Sequence, residues 1–191
     1  MANRVAVKIA DFLCKNNTIR NEEKDIYVYG FEIFFSNVIN FTLILFLGYL
    51  FHQFYQAMLF YIAFVVTRSF SGGYHASTYI KCNIAFASIF IVTVLISRLL
   101  LPTISLVYLL GFMAIYIGTI LEYAPIENSN KVLLEADKQK YRKISIVISI
   151  CWSVIVIALY FIAKEYATTL ALTLVMIAML MLIEVNKRKE L

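Results

Sequence analysis

Residues 68–82 read Arg68-Ser69-Phe70-Ser71-Gly72-Gly73-Tyr74-His75-Ala76-Ser77-Thr78-Tyr79-Ile80-Lys81-Cys82, and they gather most of the groups in this chain that could do chemistry. A thiol and an imidazole together suit nucleophilic catalysis, with the histidine taking the cysteine's proton and later handing it to a leaving group. Their spacing imposes a condition. On one continuous helix, His75 and Cys82 would share a face but stand about 10.5 Å apart along the axis, against the roughly 2.6–3.2 Å that proton transfer needs. A working pair therefore requires the chain to turn between helices. Gly72 and Gly73 supply the break, being two of only six glycines and the one adjacent pair. Ser77 or Thr78 can then cap a new helix, which sets Cys82 in or just beyond its first turn. The positive end of that helix, with Lys81 and His75 alongside, favours the reactive thiolate form.

Supporting roles follow from the same segment. Arg68 can hold acidic groups of a substrate, or lipid phosphates, or a helix end. Gly72 and Gly73 shape the turn and let a substrate backbone come close. No third or fourth ligand lies near His75 and Cys82 in sequence, so no metal is expected. Cys14 and Cys151 read as small apolar fillers, and His52 as an interfacial anchor. Three cysteines make no disulfide framework.

The elements that must carry this segment are membrane helices. Of 191 residues, 62% are hydrophobic and 15% charged, with mean hydropathy +0.81. A soluble domain has roughly 45–50% apolar and about 25% charged residues, so a water-soluble globule is excluded. The net charge of +5 does not mark a nucleic-acid-binding face. Between positions 33 and 121 the only charged residues are Arg68, Lys81 and Arg98, and the others cluster at the ends, in a middle segment and at one short turn. No nucleic-acid partner is expected.

A bilayer crossing needs about 20 mostly apolar residues. Segments 33–51, 103–121, 144–163 and 167–183 qualify, and 78–97 does so if Lys81 snorkels to the interface. Segment 55–67 is short: a tilted span or a re-entrant half-helix. Counting it as a crossing gives six spans and satisfies the positive-inside rule, because only Arg98 and Lys164 of the 17 cations then face outward. The expected fold is all-α and polytopic, with about six spans (the second short) and both termini cytoplasmic. Residues 1–17 lack an apolar core, so no signal peptide is expected. Val5, Ile9, Phe12 and Leu13 share one face of an amphipathic helix, which either lies on the inner leaflet or packs over the span ends. Residues 1–30 form this interfacial region, with a second helix starting near Glu22 and running into the first span. Residues 122–143 read as a cytoplasmic loop with a short helix, a lipid anchor or a dock for acidic peptide. No linker divides 1–191, so one integral membrane domain is expected.

Two stripes remain. Glu32, Ser36 and Asn40 recur on one face of the first span, with Asn37 beside it. They could orient His75 or form an oxyanion site, although hydrogen bonding between helices is the commoner use. Gly111, Ala114 and Gly118 line a face that allows close packing within or between subunits.

The run Arg68-Ser69-Phe70-Ser71-Gly72-Gly73-Tyr74-His75-Ala76 followed by Cys82 resembles the core of the accessory gene regulator protein B (AgrB) family, clostridial branch. Tyr29-Gly30-Phe31-Glu32-Ile33 at the first span and Tyr123-Ala124-Pro125-Ile126-Glu127-Asn128 before the charged loop match its wider layout. The resemblance implies a membrane-embedded cysteine endopeptidase of bacterial quorum sensing, sited in the cytoplasmic membrane. Such proteins cut the C-terminal part from a short AgrD-type propeptide and promote its closure to a cyclic autoinducing peptide. It further implies His75 and Cys82 as the catalytic residues, a homodimer, and no cofactor. A small transporter with a path lined by His75, Cys82 and Arg68 is the rival reading, and a non-enzymatic membrane adaptor is another.

Overall fold

A computed structural model describes residues 2–73, 79–126 and 135–189, and these form seven α-helices with no strand. They are α1 (Ala2–Lys15), α2 (Lys24–Leu50), α3 (Phe54–Ser71), α4 (Tyr79–Leu100), α5 (Leu106–Tyr123), α6 (Glu135–Ile162) and α7 (Lys164–Lys189), with a single 3-10 turn, Asn21–Glu23, before α2. Among the described residues, five helices are long and apolar enough to cross a membrane: α2, α4, α5, α6 and α7. The protein is an all-α polytopic membrane protein.

Two element boundaries correct the sequence reading. The short second span is an 18-residue helix, because nothing after Thr67 breaks it until Gly72, and it carries Arg68 in its last turn. At 1.5 Å per residue it is about 27 Å long, so it is no half-helix, although it is not among the five apolar spans. The expected short helix in the middle segment is the start of α6, which runs unbroken from Glu135 through the basic residues into the apolar span. Lys138, Lys140, Arg142 and Lys143 are compatible with helix, and no glycine or proline separates them from Ile144.

The chain forms two compact units, Met1–Leu43 and Ile44–Leu191. In the first, α1 buries Ala6 and Ala10 and leaves Val5 and Phe12 exposed, while Asp11 pairs with Lys24 at 2.6 Å. Glu32 and Ser36 are buried along α2, and Asn40 is half-buried on the same face.

The second unit is built around α7, which packs against α3, α4, α5 and α6. A central helix must be apolar on every side, and Ala167, Leu170, Ala171, Leu174, Ile177, Ala178 and Met181 are all buried. Its threonines are absorbed locally: Thr168, Thr169 and Thr173 donate to the carbonyls of Lys164, Glu165 and Thr169. Thr169 also meets Ser97 of α4 at 3.0 Å, a polar link between buried helices. Between α3 and α4 the rings of Phe60, Phe64, Phe86 and Phe90 interlock, with neighbouring centroids 4.7–5.5 Å apart. Gly111, Ala114 and Gly118 of α5 lie on the exposed side, and a Cβ built on either glycine would meet nothing within 4 Å. Among the described residues of the second unit, that stripe is therefore not a packing contact.

Candidate active site

The described residues of the site belong to the second unit. At the end of α3 the Gly72 N–H donates to the Arg68 carbonyl at 3.1 Å, and the backbone then turns out of the helix with φ +73°. A Cβ at this position would lie 2.1 Å from the Ile126 carbonyl oxygen, so only glycine fits both the dihedral and the space. Ile126 in turn donates its N–H to the Ser71 carbonyl at 2.9 Å. The break after α3 is thus stitched to the segment leaving α5, and its direction is fixed by a distant part of the chain. Gly73 follows with φ +132°, where a Cβ would stand 3.7 Å from Met181 Cγ and 3.9 Å from Arg68 Nε. Both glycines carry the backbone through positive φ, which side chains rarely adopt.

Arg68 is the central side chain here. Its guanidinium lies over the Phe64 ring, 5.5 Å from the centroid. Nε and Nη2 are buried and make no hydrogen bond. The Cys82 thiol is within hydrogen-bonding reach of the guanidinium, and the Glu184 carboxylate acts on it across the same space. Cys82 is the fourth residue of α4 and half-buried, in the first turn as the spacing predicted. Lys81, beside it, is exposed and engaged in an interaction of its own. His75 lies outside the described residues, as do the proposed caps Ser77 and Thr78. Glu32 and Asn40 belong to the first unit. Of the other thiols, Cys14 is half-buried in that unit and Cys151 is exposed on α6.

Glu184 is a residue that sequence reasoning missed. It falls one position beyond the expected last span and reads there as an ordinary interfacial charge. No spacing rule connects position 184 to position 68. Its carboxylate acts electrostatically on the Arg68 guanidinium, with Oε1 accepting from Arg188 Nε at 3.4 Å and Oε2 buried without a hydrogen-bond partner. The basic start of α6 also comes to this end of the bundle: Tyr141 packs on Phe70 with centroids 5.9 Å apart, and Arg142 Nη2 donates to the Leu121 carbonyl at 3.1 Å.

Chemically, the arrangement offers a sulfur nucleophile, a buried cation with unused N–H donors beside it, and a glycine turn held against the Ile126 backbone. A family model described as "AgrB: Accessory gene regulator B" matches residues 6–183. No curated protein and no solved structure matches the chain.

Proposed function

Because this chain belongs to the accessory gene regulator B family and so has a role in the agr quorum-sensing system, we propose that it is a membrane-embedded cysteine endopeptidase that cuts an AgrD-type propeptide and promotes its cyclisation. The observation that carries this reading is Cys82 in the first turn of α4, beside the Arg68 guanidinium. His75 takes the thiol proton, and the sulfur attacks the scissile carbonyl, forming a C–S bond while the carbonyl electron pair moves to oxygen. When the tetrahedral intermediate collapses, the C–N bond breaks and the leaving amine takes its proton from His75. A cysteine or serine within the bound peptide then attacks the thioester and expels Cys82, closing a thiolactone or lactone. Water competes for the same thioester. A buried site that holds the internal nucleophile close favours the ring.

The proposed orientation puts both termini and the basic start of α6 at the cytoplasmic face, where a propeptide made in the cell would dock. Co-expression with short amphipathic peptides encoded nearby, followed by mass analysis, tests the activity. The expected products are a C-terminal fragment and an N-terminal part lighter by one water than the linear acid. A linear acid alone would refute the cyclisation step, and an intact peptide would refute the endopeptidase.

The protein is further proposed to act as a homodimer through the exposed stripe of α5. Cysteines introduced at Gly111, Ala114 or Gly118, in a chain with Cys14 and Cys151 replaced, are expected to crosslink two subunits in the membrane. Failure at all three positions, with crosslinking elsewhere, would move the dimer contact off α5.

A further inference from the structure

Unused hydrogen-bonding atoms gather around Cys82. A buried guanidinium with idle N–H groups is costly, since each loses its water without gaining a partner. Arg68 has two such nitrogens, Nε and Nη2, and Glu184 has one such oxygen, Oε2. Phe64 covers one face of the guanidinium. On another side stands Gly73, where a Cβ would already be in van der Waals contact with Nε at 3.9 Å. The unfilled donors therefore lie against the Gly72–Gly73 turn and next to the sulfur, since Phe64 and Phe86, one helical turn from Arg68 and Cys82, pack with centroids 4.7 Å apart.

We propose that Arg68 is the oxyanion donor of this site and that Glu184 is the positioning residue that holds it. The inference rests on the cysteine-peptidase reading above and adds the group that stabilises the reaction's developing charge. As Cys82 sulfur bonds to the scissile carbon, the carbonyl electron pair becomes an alkoxide. The Arg68 fork donates its free N–H groups to that oxygen until the C–N bond breaks and the carbonyl re-forms. A cation fixed in a dry site serves this purpose without rearranging at the moment of reaction. Glu184, tethered through Oε1 by Arg188, supplies the counter-charge that keeps the guanidinium in place. It acts through Arg68 and does not touch the substrate.

The test separates attack on a carbonyl from reactivity of the sulfur itself. Alkylation of Cys82 by iodoacetamide forms no oxyanion, whereas cleavage of the propeptide does. Arg68→Lys keeps the positive charge beside the sulfur but removes the planar fork. In the full chain in lipid vesicles, this variant is expected to alkylate Cys82 within about twofold of the parent rate. Cleavage should fall by about 10²–10³-fold, the effect of losing one oxyanion donor. Glu184→Gln is expected to lower cleavage by about tenfold, again with alkylation retained. Cleavage by Arg68→Lys within threefold of the parent would overturn the proposal. So would alkylation and cleavage falling together, because Arg68 would then serve the sulfur or the fold. If the lysine variant does not fold, equal losses of both rates in Glu184→Gln overturn the proposal on their own. Failure of the underlying reading looks different: a Cys82→Ser chain would go on cutting the propeptide.

Discussion

Replacing Cys82 by serine is expected to reduce propeptide cleavage by at least about 10³-fold, with no C-terminal fragment detectable by mass spectrometry. The two side chains are close in size, and Cys82 is only half-buried in the first turn of α4, so the fold should be unaffected. What changes is the nucleophile. A serine hydroxyl is a far weaker acid than a thiol and is a poor nucleophile without full deprotonation. Cys14→Ser and Cys151→Ser should cleave at the parent rate, because one thiol lies in the first unit and the other faces outward from α6. Release of the fragment by the Cys82→Ser chain would end the assignment of the nucleophile. Loss of activity in the Cys151 variant alone would move it to another helix.

Gly72→Ala is expected to be strongly destabilising. The new Cβ would be driven to 2.1 Å from the Ile126 carbonyl oxygen at a backbone dihedral, φ +73°, that alanine rarely adopts. Neither partner can step aside cheaply, since Ile126 is hydrogen-bonded to Ser71 and Gly72 to Arg68. A backbone clash combined with strain of this kind falls among the large mutational effects, about 3 kcal/mol or more. Release of the turn would also carry Arg68 away from Cys82, so activity should vanish even where folded protein is recovered. The control is Gly30→Ala, whose Cβ meets nothing within 4 Å, which lies off the proposed dimer stripe and which should gain from alanine's better helix propensity. Thermal unfolding of both variants in the same detergent checks the contrast. A Gly72→Ala chain that melts with the parent and still cleaves would show that the turn is not pinned as described.

Much of this was legible in the chain. Helix content, the apolar spans, the break at Gly72 and the position of Cys82 in a first helical turn all follow from local rules. Hydrophobic length sets the spans, and glycine and capping residues set the boundaries. Element lengths are less legible. The apolar run 55–67 stops before Arg68, whereas α3 continues through Arg68 because hydrogen bonding along a helix needs only the absence of a breaker. The basic run before Ile144 likewise lies outside the apolar span, yet α6 passes through both.

The sequence by itself determined that this protein lives in a membrane and that its few polar groups at depth gather around one glycine turn. Charge is costly in lipid, so its placement along the chain is informative without any coordinates. Only the tertiary structure decided which distant residues share that turn. Ile126 fixes Gly72, Phe64 lies under Arg68, and Met181 of the last helix stands beside Gly73. It also decided that the small residues of α5 face away from the bundle. Periodicity tells which face of a helix is polar or small. Which neighbour that face meets depends on how the helices pack around α7, and no spacing within a single helix encodes that.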